Sequence, residues 1–176
     1  MLLSTLLVPL TATLAASAAL DMQAAPANIS DAIAQVSHEA ETFGKVLTDW
    51  NGMLLTTLPI VTSSARLYHS LQKGTRAAEA SKPLTEDEAL AMAADAQTLS
   101  QTVNKTLEAV IAVKPKFDRL WLSGVILGAM EIERKEAVEF IDAVVDKVPE
   151  GFRPLAKRIV QGMLDGFEKT IAAYRP

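Results

Sequence analysis

The sequence predicts an all-α protein, a five-helix antiparallel bundle, on three observations. Apolar residues make up 49% of the 176-residue chain and aromatics only 5%, so the core must be built from Leu, Val, Ile, Ala and Met, a palette that favours helices over sheet. Apolar residues recur at three- and four-residue spacing over long stretches with polar residues between them, the period of an amphipathic helix. Turn signals such as Asn51-Gly52 and Pro149-Glu150-Gly151 leave short connections, which make sequential helices antiparallel neighbours.

Residues 1–20 read as a secretory signal peptide: an uncharged run of apolar and small residues with Ala16-Ser17-Ala18 in the small-x-small cleavage pattern. Residues 21–27 form an Ala- and Pro-containing leader, and 28–176 a single helical domain. The first helix runs from Asn28 or Ser30 to Trp50 on Ile29, Ile33, Val36, Ala40, Phe43 and Leu47, and Asn51-Gly52 ends it. The second, 53–71, carries Leu54, Leu58, Val61, Ala65 and Tyr68, with Pro59 inside it as a bend. Its hydroxyl and β-branched content leaves a strand as the alternative. A loop over 74–84 leads to Thr85-Glu86-Asp87-Glu88, a capping box, which opens a third helix to about Val113 along Leu90, Leu99, Val103, Leu107 and Val110.

The fourth helix is predicted to be the long central one, about 116–148. Pro115 suits a first helical turn, and Leu120 to Met130 is apolar or small on every side, as in a helix buried all round. That run is too short to span a bilayer, which takes about twenty residues. Past Glu131 the apolar positions narrow to one face, with Glu131, Glu133, Glu136 and Glu139 alternating with Arg134 and Lys135 as a solvated, ion-paired surface. A fifth helix follows from Arg153 to Tyr174 on Leu155, Ile159, Met163, Phe167 and Ile171, with Pro154 in its first turn.

Several function classes find no machinery. A net charge of -4 and a pI near 5.2 offer no basic patch for nucleic acid. Cysteine is absent, so thiolate chemistry and disulfides are excluded. The two histidines, His38 and His69, sit beside their apolar stripes, and no Glu-x-x-His pair is present for a metal bundle. Neither a nucleophile elbow nor a phosphate-cradling glycine loop occurs. The expectation is a non-catalytic protein with no metal and no cofactor, and the chain ends at Tyr174-Arg175-Pro176 without an anchor sequence. Two sequons, Asn28-Ile29-Ser30 and Asn104-Lys105-Thr106, make Asn28 and Asn104 candidate glycosylation sites, although Asn28 also suits a helix N-cap.

What remains is an apolar surplus with glycines set in it. Gly124 and Gly128 stand four apart in the fourth helix, and Gly162 and Gly166 in the fifth. Such pairs serve close helix packing or leave a groove for an alkyl chain, worth about 0.8 kcal/mol per buried methylene. The walls of such a cavity would come from Phe43, Leu47, Leu58, Val61, Leu99, Val103, Leu107, Leu120, Gly124, Leu127, Gly128, Met163 and Phe167. Candidate hydroxyls for a ligand's head are Ser63 and Thr62 beside Pro59, Ser37 and Thr102.

The runs from Ser81 to Leu90 and from Ala109 to Asp118, with Val148-Pro149 and the Trp50-Asn51-Gly52 turn, resemble the fungal family of hydrophobic surface-binding protein A and cell wall galactomannoproteins. The resemblance spans Ile29 to Tyr174. It implies a secreted helical bundle, extracellular or non-covalently associated with the cell wall, that holds fatty acids in a central cavity. It implies as the alternative a surface-active protein that adsorbs to hydrophobic surfaces and recruits a secreted esterase. It brings no catalytic residues.

Overall fold

The computed structural model describes residues 28–176; the predicted signal peptide and leader lie outside the described residues. Five α-helices follow one another: α1 (Ile29–Asp49), α2 (Leu58–Ala80), α3 (Glu86–Arg119), α4 (Ser123–Val145) and α5 (Arg153–Tyr174), with single 3-10 turns at Leu54–Thr56 and Glu150–Phe152. No strand occurs among the described residues, so the strand alternative for the second segment falls.

Local chemistry sets the helix starts. The Asn28 side chain accepts from the Asp31 N–H at 2.8 Å. Thr85 and Glu88 close the capping box in both directions, Thr85 N–H donating to the Glu88 carboxylate at 2.8 Å and Glu88 N–H to the Thr85 hydroxyl at 3.3 Å. Pro59 and Pro154 occupy first turns of α2 and α5, where a missing N–H costs nothing.

The second helix differs from its predicted span at both ends. Since Pro59 lies in the first turn, it starts α2 rather than bending it. At the other end the helix runs through Gly74 to Ala80, where a loop was expected. Gly74 is there because α4 comes close: a Cβ would stand 2.8 Å from the Phe140 ring.

The long central helix over 116–148 does not form. Instead α3 continues through Pro115 for 34 residues, and the chain turns at Leu120–Leu122. Trp121 takes φ 58°, the left-handed position that usually falls to glycine. The turn is closed by Trp121 N–H donating to Asp118 C=O at 3.1 Å and Leu122 N–H to Phe117 C=O at 3.0 Å, the paired bonds of a Schellman motif.

Topology follows from a few contacts. Ser37 meets Thr102 and Trp50 stacks on Phe117 at 4.6 Å, so α1 and α3 run parallel. Ser100 donates to Ile159 C=O and Tyr174 O–H to Val110 C=O, which makes α3 and α5 parallel. Ser64 meets Glu133 and Glu79 meets Lys147, so α2 and α4 run parallel to each other. Each helix is thus antiparallel to the next in sequence, as predicted, yet no helix is central. The packing order closes a ring, α1 to α2 to α4 to α5 to α3 and back to α1, while consecutive α3 and α4 scarcely touch. Were the ring regular, neighbours about 9 Å apart would place each axis roughly 8 Å from the centre, against a helix radius of about 5–6 Å. A column the width of an alkyl chain is the natural residue of that geometry.

Candidate functional site

The column is filled at one end and hollow at the other. Where all five helices face it, Val36, Leu71, Leu99, Phe140, Met163 and Phe167 leave a void of only about 40 Å³. Beyond them, toward α5's start, a space of about 70 Å³ lies among Ile33, Met92, Val144 and Ile159. Toward the Trp121 turn the column widens to a cavity of about 350 Å³, within the roughly 300–1,000 Å³ of small-molecule pockets. Phe43 and Leu47 of α1, Val61, Ser64 and Tyr68 of α2, Val110 and Phe117 of α3, and Val125, Ala129 and Ile132 of α4 form its wall. Val61, Val125 and Ile132 are exposed as well, so the opening lies between α2 and α4.

One polar pair sits where the cavity meets the filled column. Ser64 Oγ donates to Glu133 Oε1 at 2.6 Å, and Glu133 lines both spaces. Only 4% of Glu133 is exposed. Burial raises its carboxyl from the usual 4.5 to about 7, opposed by the Ser64 bond, which favours the charged form.

The predicted wall residues divide. Phe43, Leu99, Val103, Leu107, Met163 and Phe167 converge on the filled column, and Phe43, Leu47 and Val61 on the open cavity. Leu58, Ser63, Leu120, Gly124, Leu127 and Gly128 line neither. Gly124 and Gly128 have nothing within 4 Å of where a Cβ would stand; they serve neither close packing nor a cavity, because this part of α4 covers the bundle on one face only, with Val125 exposed. Ser63 donates to Pro59 and Ile60 C=O, and Thr62 to Leu58 C=O, so both mend their own helix. Ser37 and Thr102 bond each other weakly, at 3.5 Å.

The α4 carboxylates also part from expectation. Glu131 faces Arg175 at 3.9 Å and Glu139 faces Lys135 at 3.5 Å on the surface, but Glu133 and Glu136 are buried. The signal for Glu133 was present in the spacing: it lies three, four and seven residues from Met130, Ala137 and Phe140, all on the inner face. The glycines of α5 differ from those of α4, for a Cβ at Gly166 would overlap the Asn104 amide. Asn104 is consequently half-buried against α5, whereas Asn28 is exposed and capping α1. His38 and His69 are both exposed. No cluster of three metal-ligating side chains exists among the described residues, and no described helix is long and apolar enough to cross a membrane.

Comparison with known proteins bears on this geometry. A family model described as hydrophobic surface binding protein A matches residues 26–146. Among curated proteins, the chain is similar to cell wall mannoprotein 1 of Aspergillus flavus, 24% identical over 83% of this chain, and to that of Aspergillus fumigatus, 25% identical over 81%. It spans about half of each relative's length, 53% and 50%. Among solved structures it resembles Afmp4p in complex with palmitic acid, with a TM-score of 0.80 at 17% identity over 84% of this chain and 97% of that one. It also resembles ligand binding domain 1 of the Penicillium marneffei MP1 protein complexed with arachidonic acids, with a TM-score of 0.79 at 17% identity over 82% and 95%. At these identities the shared property is the fold.

Proposed function

We propose that this chain, which belongs to the hydrophobic surface binding protein A family, is a non-catalytic binder of fatty acids or similar amphiphiles. The observation that carries the reading is the 350 Å³ apolar cavity with one polar pair at its inner end. The solved folds it resembles hold palmitic and arachidonic acids, which supports an alkyl chain as the occupant. A sixteen-carbon tail gains on the order of 10 kcal/mol gross on leaving water, enough to exceed the ordering costs of binding a small ligand. The similarity to cell wall mannoproteins supports an extracellular or wall-associated setting reached through the predicted signal peptide.

Delipidated protein should take up a fluorescent fatty acid saturably, and the protein as purified should carry lipid in a native mass spectrum. Ala129→Phe, which sets a ring in the cavity wall, should weaken uptake strongly, while Gly128→Leu, which points into open space, should leave it intact. Equal uptake by both variants would sink the assignment of this cavity.

A second reading has its own observation. Leu55 is 94% exposed and Trp121 93%, with Leu54, Leu58 and Met53 beside Leu55 also exposed. Both groups lie at the end of the bundle where α1 stacks on the end of α3. This apolar end suits adsorption to hydrophobic surfaces, in keeping with the family's description. Leu55→Asp with Trp121→Asp should weaken adsorption to octyl-coated beads and spare ligand uptake.

A further inference from the structure

A pocket built for a fatty carboxylate would be expected to offer it a cation or several N–H and O–H donors; this cavity has no cation in its wall, the phenol of Tyr68 on its α2 side, and an acid, Glu133, where it meets the filled column. The wall contributed by α1 is Phe43 and Leu47, and by α3 Val110 and Phe117. Of the lining side chains, α2 contributes one titratable group, Tyr68, whose oxygen accepts from Gln72 at 2.8 Å and keeps its own O–H proton, and α4 contributes one, Glu133. Neither lysine, arginine nor histidine lines this cavity or the filled column beneath it, which is also the one that α5 faces. The other buried carboxyls, Glu39 and Glu136, line neither space. Ser64, the hydroxyl bonded to Glu133, already spends its proton on it.

We propose that Glu133 is the headgroup contact of the cavity and that it reads protonation: the site admits uncharged heads at any pH, and a fatty carboxylate only while Glu133 itself holds a proton to share with it. The inference rests on the reading that the cavity holds an alkyl chain. Two carboxyls meeting in a water-poor space keep one proton between them, because both cannot ionise at such range. Below Glu133's titration the acid donates to the ligand's carboxylate, and binding needs no extra proton. Above it each bound fatty acid must bring a proton in, so affinity falls by about tenfold per pH unit. A fatty alcohol donates its own hydroxyl proton to Glu133 and escapes that dependence. The burial that raises Glu133 to about 7 places the change at near-neutral pH.

The test measures displacement of the neutral dye Nile red from delipidated protein by palmitate and by hexadecanol, between pH 5.5 and 8.5. For the wild-type chain, palmitate should hold steady at the acid end and weaken more than tenfold by pH 8.5, with hexadecanol changing less than about twofold. In Glu133→Gln, whose amide donates at every pH, palmitate should become pH-independent. Glu133→Met, an apolar replacement that keeps a filled wall, should retain hexadecanol and lose palmitate throughout. Matching pH courses for the two ligands, or a palmitate slope that survives in Glu133→Gln, would overturn the role of Glu133 while leaving lipid binding standing. If neither ligand displaces the dye at any pH, the lipid-binding reading falls with it. Circular dichroism of each variant confirms that the bundle is intact, and either Glu133 variant alone decides the question should the other fail to fold.

Discussion

The parallel pair α2 and α4 carries two rungs that behave oppositely. At one, Gly74 lets the Phe140 ring reach the α2 backbone, and the column beside it keeps only about 40 Å³ of free space. At the other, Ser64 meets Glu133 and about 350 Å³ stays open. A large side chain set against a missing one closes a helix pair, as close-packed interiors require. At the polar rung no aromatic ring crosses from α4 to α2, and the space beside it is unfilled. The hole lies where α5 lends no side chain to the wall and α4 supplies Val125, Ala129 and Ile132 in place of an aromatic ring, although Phe43, Tyr68 and Phe117 stand around it.

That contrast can be broken most forcefully at the closed rung. Phe140→Ala should cost about 3–5 kcal/mol, read as a lowered urea midpoint, and should leave palmitate uptake in the open half in place. The open rung responds to pH. Because burial holds the Glu133 carboxyl near 7 against 4.5 when unfolded, the native chain keeps a proton that the unfolded chain has released between those values. Stability is therefore full below pH 4.5 and declines as pH rises through about 7, by on the order of 3 kcal/mol. Glu133→Gln should flatten this profile in urea titrations run at successive pH values.

Smaller effects sharpen the same comparison. Gly74→Ala should destabilise by about 1–3 kcal/mol, since its Cβ meets Phe140. Gly128→Ala on the open side should instead stabilise by up to about 1 kcal/mol through helix propensity alone. The smallest change is expected at the corner between α3 and α4, where Trp121→Gly should add about 1 kcal/mol by relieving a left-handed backbone. Thermal melts of these three variants check both signs.

The sequence made α1, α5 and the start of α3 legible because stripe, cap and stop agree there, as in the Thr85 capping box and the Asn51-Gly52 turn. The end of α3 was not legible for two reasons. Pro115 reads as a first-turn residue yet is carried inside a helix, and the turn that follows uses Trp121 where the recognisable residue would be glycine. The glycine pairs looked alike from one strand of sequence, but their meaning lay on the partner helix: Asn104 fills the place opposite Gly166, and nothing stands opposite Gly124. Glu133 was hidden by its charged neighbours, although its spacing from Met130 and Phe140 put it on the inner face. Of the predicted wall, those residues on strong stripes converged; Leu120, Leu127 and the α4 glycines did not, because the helix assumed to be central is one side of a ring.

The two tryptophans of this chain stand in opposite surroundings, Trp50 sealed against Phe117 and Trp121 open to water. In a Trp50→Phe chain all indole emission would come from the corner that faces outward. Its spectrum would shift to the blue when the protein settles on wax or oil and stay in place when a lipid enters the interior. The molecule thus carries an optical reporter that tells spreading on a surface from loading.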